Sequence, residues 1–237
     1  MLTEAQKKEI QEAYSRFLKS RGLTARPAQK QMIAAVARTL ASAAAVRPEA
    51  GEQPPAISVV EAGTGTGKTI AYLLAAIPLA RAQECRLVLS TATVALQEQL
   101  INKDLPEVET HTGLPVRYRL AKGRGRYLCL NKVENHLEQQ GLLGQMALYE
   151  DEAAEKLPDD VLKLYQNLMD RYASGQWDGD RDALADEVDD SIWQPLTSDH
   201  MQCSNRRCLN FSACPFYRAR DRLEEADVIL ANPDLVL

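Results

Sequence analysis

The sequence predicts an α/β fold with a mainly parallel sheet, interrupted by a mostly helical insertion. Short apolar runs alternate with helical patterns between residues 57 and 120, and a further apolar run follows near the end, at 227–231. The stretch from about Cys129 to Cys214 differs, because it is polar and helix-prone and then strongly acidic. Regular alternation of strands and helices is typical of a parallel sheet with helices packed on its faces. The polar stretch therefore predicts an insertion into that core.

Two helices are predicted before the first strand. Thr3 and Gln6 are spaced as in a capping box, and apolar residues recur at helical intervals as far as Ser20. Pro27 is suited to the first turn of the second helix, where its missing N–H would have no helical partner. Residues 47–55 are rich in Pro, Gly and Glu and predict a loop.

Short apolar runs predict the strands of the sheet. They are residues 57–60, 86–91, 116–120 and 227–231. Helical patterns follow the first two runs, at 72–77 and 94–103. The last run is expected to return to the same sheet after the insertion.

Composition excludes several classes of protein. A chain of 237 residues with 45% hydrophobic and 26% charged residues is ordinary for a globular protein and can bury a core. No apolar run approaches the length of a membrane span, and residues 1–8 lack the apolar centre of a signal peptide. No membrane partner and a cytoplasmic location are therefore expected. The net charge of −5 argues against a protein coated in nucleic acid, although this average hides a basic segment.

A glycine-rich loop, EAGTGTGKT at residues 61–69, predicts a nucleoside triphosphate site. Glycines let backbone N–H groups converge on phosphate oxygens, and the N-terminus of the following helix adds further donors. Ala62 occupies the first glycine position of the phosphate-loop pattern. A dinucleotide fingerprint is excluded, because its last glycine would fall on Lys68. The predicted triphosphate and Mg²⁺ contacts are Gly63, Thr64, Gly65, Thr66, Gly67, Lys68 and Thr69, with Lys68 and Thr69 as the catalytic pair.

Four of the five cysteines form a spaced set, C-x73-C-x4-C-x5-C, made of Cys129, Cys203, Cys208 and Cys214. In a chain expected in the cytoplasm, such thiols predict metal ligands rather than disulfides. Structural zinc prefers closer Cys pairs, whereas a cubane spreads its four ligands more widely. The spacing therefore favours a [4Fe–4S] cluster and leaves zinc as the alternative. Cys85 is assigned no role.

A basic and aromatic turn leads to the first of these cysteines. Its glycines allow close approach of a partner, its cations suit phosphate oxygens, and its tyrosine faces suit stacked bases. A nucleic-acid track is therefore predicted here, with a solvated face that balances the acidic insertion as the alternative. The predicted contacts are Lys122, Arg124, Arg126 and Tyr127.

Taken in order, these motifs resemble the DinG-type helicases, in the XPD-like iron–sulfur branch of superfamily 2. The resemblance rests on RPAQKQM around Gln29, the loop EAGTGTGKT, LSTATVALQEQL at 89–100, KGRGRYLC up to Cys129, and the late cysteine trio. It covers nearly the whole chain, which is identified as an N-terminal portion of such a helicase. It implies a RecA-like P-loop NTPase core, interrupted by a mostly helical insertion that holds a [4Fe–4S] cluster.

The resemblance also implies roles for domains and residues. Residues 1–121 would hold the N-terminal helices and the first part of motor domain 1, residues 122–222 the cluster insertion, and residues 223–237 a return strand. Gln29 would read the adenine of ATP, with Arg26 nearby. The residues that match the DNA-backbone motif of the first motor domain are Ser90, Thr91, Thr93 and Gln97.

The family implied by this resemblance couples ATP hydrolysis to 5′-to-3′ movement on single-stranded DNA. It unwinds forked and displacement-loop DNA in repair or replication, with DNA–RNA hybrids as a further substrate, so a monomer associated with the bacterial nucleoid is expected. The Walker B box is expected after Leu237, so this chain alone should bind ATP weakly and hold its cluster without fast hydrolysis or unwinding. Pro233 stands where the family usually shows His.

Two other functions remain open at this point. The chain could be a nucleic-acid-binding or redox-sensing module that carries an iron–sulfur or zinc site and no motor. A different P-loop enzyme, such as a kinase, gives no reason for Gln29 or for the cysteine set and ranks last.

Overall fold

The computed structural model of the chain describes residues 2–43, 56–146 and 157–236. They fall into two compact units: unit 1 comprises Met1–Ala121 and Glu225–Leu237, and unit 2 comprises Lys122–Glu224. The predicted loop at 47–55 lies outside the described residues. In the part of the chain that the structure describes, no helix has the length and apolar character needed to cross a membrane.

Unit 1 begins with the two predicted helices, α1 (Glu4–Arg21) and α2 (Pro27–Ala43). The capping box at the start of α1 is confirmed. The Thr3 hydroxyl accepts from the backbone N–H of Gln6, and the Gln6 side chain accepts in return from the backbone N–H of Thr3. Both bonds satisfy donors that the first turn of a helix leaves unpaired.

The third helix, α3 (Lys68–Ala82), is the centre of the core of unit 1. Almost every residue from Ile70 to Ala80 is buried, because α1 and α2 pack against it on one side and the sheet on the other. A helix that is apolar all round is stable only when it is covered on all sides. The helix therefore holds its own N-terminus, at Lys68, in a fixed position.

Three parallel strands form a small sheet in unit 1: β1 (Leu87–Ser90), β2 (Tyr118–Leu120) and β3 (Val228–Ala231). Their order is β1-β3-β2, so the strand that comes last in the chain lies between the other two. In register, Leu87 and Tyr118 both pair with Val228. This confirms the α/β class and the strands predicted at 86–91, 116–120 and 227–231.

The prediction of a strand at residues 57–60 is wrong. Residues Ile57 to Val60 have no regular secondary structure, and their apolar side chains are exposed, up to 92% for Val59. A strand needs a neighbour that pairs with its N–H and C=O groups. Among the described strands, β1 and β2 pair only with β3, which leaves the apolar run at 57–60 without a partner.

The helix predicted at 94–103 is longer and less regular than expected. It consists of α4 (Val94–Gln99), a π-helical turn (Leu100–Asp104) and α5 (Leu105–Thr112). π-helical turns inside helices frequently occur at functional sites. Here the turn lies beside the loop at residues 63–69.

Unit 2 is mostly helical, with α6 (Leu130–Met146), α7 (Asp159–Ala173), α8 (Asp190–Trp193) and α9 (Pro215–Leu223), and short 3₁₀ turns lie between α7 and α9. It has a core of its own around Trp193, Tyr165 and Leu168. The last helix, α10 (Pro233–Val236), belongs to unit 1 and begins at the proline that replaces the expected His.

Candidate nucleotide and cysteine sites

The glycine-rich loop of unit 1 has the backbone that its glycines permit. Gly65 and Gly67 lie in the left-handed region, at φ +74° and +76°. A Cβ on Gly67 would also lie 2.5 Å from Nε2 of Gln29, so this position requires glycine for two reasons. The loop ends where α3 begins, with Gly67 as its N-cap.

The side chains of the loop are held by backbone carbonyl groups. The ammonium group of Lys68 donates to the carbonyls of Ala62 and Gly63, at 2.7 and 2.9 Å. The Thr66 hydroxyl donates to the carbonyl of Gly63 at 2.8 Å. These acceptors carry no net charge, so the loop keeps the positive charge of its lysine.

Two residues predicted to bind the nucleotide are brought to this loop by α2 and the chain just before it. Arg26 Nη1 donates to the carbonyl of Gly65 at 2.8 Å, and Gln29 Nε2 donates to the carbonyl of Gly67 at 3.3 Å. The Gln29 side chain is oriented by the Tyr14 hydroxyl, which donates to its Oε1 at 2.9 Å. Sequence reasoning assigned Tyr14 no role at this site. No local pattern shows that its side chain meets Gln29.

The loop opens onto a cavity of ≈ 710 Å³. Its volume lies in the range of small-molecule sites. Its lining contains residues 64–69 of the loop, with Arg26 and Gln29. A second wall, which sequence reasoning missed, comes from α4, the π-helical turn and α5, and contains Leu96, Gln99, Lys103, Asp104 and Glu107.

Asp104 is the most unusual group in that wall. It is buried, and burial raises the pKa of its carboxyl, while a hydrogen bond from Gln99 Nε2 at 3.0 Å lowers it. Burial likewise raises the pKa of the Tyr72 hydroxyl, and the charge of Asp104 adds to this rise. A sequence signal existed, because Asp104 is polar at a helical position between the buried Leu100 and Val108.

The residues predicted to contact the DNA backbone lie at and beyond the carboxyl end of β1. Ser90 and Thr93 are exposed, and Thr91 is partly so. The Thr93 hydroxyl caps α4 by accepting from the backbone N–H of Leu96 at 3.3 Å. Gln97 is buried on the inner face of α4, so its side chain does not reach the surface.

The four predicted ligand cysteines all belong to unit 2, and all are free thiols of intermediate exposure. Burial raises the pKa of the Cys129 thiol, the backbone N–H of Lys132 lowers it, and Cys214, Cys208 and Cys203 add to the rise. Within residues 2–43, 56–146 and 157–236, no group of three or more His, Cys, Asp or Glu is arranged to hold a metal ion directly.

Two of the three cations of the basic turn at residues 122–126 form ion pairs inside unit 2. Lys122 forms ion pairs with Asp180 and, at 2.8 Å, with Asp182, and Arg126 pairs with Asp182. The side chains of Lys122 and Asp180 are only 17% and 14% exposed. This arrangement corrects the expectation of an open basic track, because the acidic stretch of the same unit neutralises these cations.

Tyr127 also departs from expectation. Its side chain is 6% exposed and its ring packs edge-on against Phe216, 5.9 Å between centroids. Burial, with the charges of Asp180 and Asp178, raises the pKa of Tyr127 to about 12. A buried ring offers no face to a base, so the predicted stacking role of Tyr127 is corrected to a role in packing.

Comparison with known proteins supports the sequence interpretation. No family model matches the chain. It is 39% identical over 218 residues to the ATP-dependent DNA helicase DinG of Photobacterium profundum, 39% over 217 residues to that of Salmonella choleraesuis and 38% over 217 residues to that of Escherichia coli K12. These matches cover 90% of this chain but only 28–29% of each relative. The chain thus spans less than a third of the relatives' length, and its resemblance to DinG-type helicases is confirmed.

Proposed function

We propose that this chain is the nucleotide-binding N-terminal portion of an ATP-dependent DNA helicase, with a RecA-like core in unit 1 and an iron–sulfur insertion in unit 2. The observation that carries the proposal is the loop of residues 63–69, whose lysine and two left-handed glycines face a cavity together with Arg26 and Gln29. The names of the relatives support the same assignment.

When the triphosphate binds, the ammonium group of Lys68 would exchange its carbonyl acceptors for phosphate oxygens. Lys68 now donates to two carbonyls, and phosphate oxygens are stronger acceptors because they carry charge. The free N–H groups and positive dipole end of α3 would act on the same phosphates. Thr69, in the first turn of α3, would then bind Mg²⁺ through its hydroxyl.

Gln29 would read the adenine. Its side-chain amide is held between the Tyr14 hydroxyl and the carbonyl of Gly67, so base recognition and loop position would be coupled directly. Arg26, which donates to the carbonyl of Gly65, would hold the same part of the loop in position.

Single-stranded DNA would contact unit 1 at the carboxyl end of β1, through Ser90, Thr91 and Thr93. Gln97 would support this surface from beneath, since it is buried. In the whole protein, ATP hydrolysis would drive 5′-to-3′ movement and the opening of forked or displacement-loop DNA, DNA–RNA hybrids included. We further propose that it acts as a monomer at the bacterial nucleoid.

Cys129, Cys203, Cys208 and Cys214 would hold a [4Fe–4S] cluster. The donor set fits, because all four are free thiols of one unit and cysteine thiolates are the usual ligands of such clusters. When bound, the cluster would supply a one-electron redox centre and join the start of α6 to the segment before α9.

The nucleotide site is tested by titrating the chain with a fluorescent ATP analogue and Mg²⁺. Lys68→Ala removes a charged hydrogen bond to phosphate, so affinity should fall about 10- to 100-fold. Lys8→Ala, which removes an exposed lysine of α1, is the matched control and should bind like the wild type. Equal affinity for Lys68→Ala and the wild type would show that the loop is not the site.

The cluster is tested separately by assaying iron, sulfide and zinc in anaerobically purified protein. About four iron and four sulfide ions per chain, as expected of a cubane, would support the cluster. Stoichiometric zinc without iron would replace the cluster with a structural zinc site and leave the nucleotide site untouched.

A further inference from the structure

Arg124, expected at the DNA, lies instead among the residues around one cysteine. Its Nη1 is 3.4 Å from Sγ of Cys203, and its Nη2 donates to Oδ1 of Asn205 at 3.0 Å. Both nitrogens also lie within 3.5 Å of the Tyr217 hydroxyl. The guanidinium is thus bonded to a predicted ligand sulfur and to two groups that fix its orientation.

Aromatic rings hold the same guanidinium from its face. Its Cζ lies 4.2 Å from the ring centroid of Phe216, which is buried, and 5.4 Å from that of Tyr217. The two rings meet edge to face at 5.3 Å. A planar cation that is stacked and hydrogen-bonded at once has little freedom to turn outward toward a phosphate.

Asn205 completes the arrangement around Cys203. Its backbone lies in the left-handed region, at φ +52°, a conformation that asparagine tolerates better than most residues. There its N–H points at Sγ of Cys203 at 3.4 Å, while its side chain accepts from Tyr217 at 2.7 Å and from Arg124. Cys203 therefore receives one backbone and one charged side-chain donor.

We infer that Arg124 is a positioning residue for the Cys203 thiolate and sets the reduction potential of the cluster, rather than contacting DNA. The inference rests on the cluster proposed above. Hydrogen bonds to ligand sulfurs and nearby charge are among the factors that set cluster potentials. A fixed cation at one sulfur stabilises the reduced cluster, which carries one more electron than the oxidised cluster.

The test compares the reduction potentials of Arg124→Gln, Arg124→Lys and the wild type by redox titration of the loaded chain. Arg124→Gln removes the charge, and losing one charged hydrogen bond should lower the ratio of reduced to oxidised cluster at a fixed potential about tenfold. For a one-electron couple this is a shift of about 59 mV to more negative potential. Arg124→Lys keeps the charge but not the fork or the stack, and should shift in the same direction by less.

Lys163→Gln is the control, because Lys163 is an exposed cation of α7 in the same unit, outside the cysteine segments, and its loss should leave the potential unchanged. Iron is assayed in every sample. A purely structural role for Arg124 would reduce iron content without moving the potential of the loaded fraction. Unchanged potentials in both Arg124 variants would overturn the inference, and weaker DNA binding at unchanged potential would return Arg124 to a DNA contact. Absence of iron from the wild type would instead refute the cluster itself.

Discussion

Two glycine-interleaved segments of this chain place their lysines in different surroundings. In unit 1, the loop at 63–69 bonds its lysine, and the neighbouring Arg26, to backbone carbonyls. In unit 2, the turn KGRGR at 122–126 bonds Lys122 and Arg126 to aspartates. A carbonyl acceptor is uncharged and leaves the positive charge of a cation uncompensated, whereas a carboxylate compensates it. The loop therefore keeps an uncompensated positive charge, whereas Lys122 and Arg126 are neutralised within their own unit.

The largest expected effect concerns the stability of unit 2, and its absence would contradict this comparison. Lys122→Ala leaves Asp180 largely buried without its cation, which should lower the free energy of unfolding by about 3 kcal/mol. Urea titration followed by tryptophan fluorescence measures this selectively, because the only two tryptophans of the sequence, Trp177 and Trp193, are buried in unit 2.

Arg126→Ala is the control for that experiment. The side chains of Arg126 and Asp182 are 45% and 40% exposed, so this ion pair should contribute less than about 1 kcal/mol. If Lys122→Ala and Arg126→Ala unfolded at the same urea concentration as the wild type, the turn would be free to bind nucleic acid and the contrast with the loop would disappear.

A second prediction sharpens the comparison at the loop. Gly67→Ala imposes a left-handed backbone on alanine and pushes against Gln29, so the affinity for the fluorescent ATP analogue should fall about 10- to 100-fold. Gly65→Ala carries the backbone strain alone, since no atom lies within 4 Å of its Cβ, and should lose about 10-fold.

Gly63→Ala is the matched control in the same loop. It has neither a positive φ nor an atom within 4 Å of its Cβ, so it tests the added methyl group without backbone strain and should lose less affinity than Gly65→Ala or Gly67→Ala. Equal losses at Gly63 and Gly67 would mean that any side chain in the loop blocks the ligand, whatever the backbone conformation.

The smallest expected effect concerns an exposed ion pair of unit 1, away from the loop. Arg117 joins the chain before β2 to Asp227, the residue before β3, through its backbone N–H and its guanidinium. These bonds hold the pKa of Asp227 below its usual value. Because the folded-state pKa is depressed, the stabilisation is present above pH 4 and is lost as the pH falls through the folded pKa.

Asp227→Asn should therefore speed amide hydrogen exchange in β3 at pH 7, and the difference from the wild type should shrink progressively below pH 4. Exchange followed by mass spectrometry on peptides that contain residues 228–231 measures it. Glu225→Gln, which alters a nearby carboxylate without these bonds, should leave exchange unchanged. A difference of the same size at low pH would assign the effect to packing rather than to charge.

Local features of the fold were predictable because their causes are local. The capping box of α1 needs only Thr3 and Gln6, and the strands β1, β2 and β3 appear as short apolar runs. The run at 57–60 looks the same in sequence but forms no strand. Pairing depends on a neighbouring strand that the run itself does not contain.

The sequence by itself determined the α/β class, the phosphate-loop position and the cysteine set, since each depends on residue type and spacing within one segment. The tertiary structure decided which cations are neutralised by a carboxylate partner. Asp180 lies 58 residues from Lys122, and Cys203 lies 79 residues from Arg124. Partners so far apart in the chain meet only through folding, so the structure pairs Lys122 and Arg126 with carboxylates and leaves Lys68 with uncharged carbonyl acceptors.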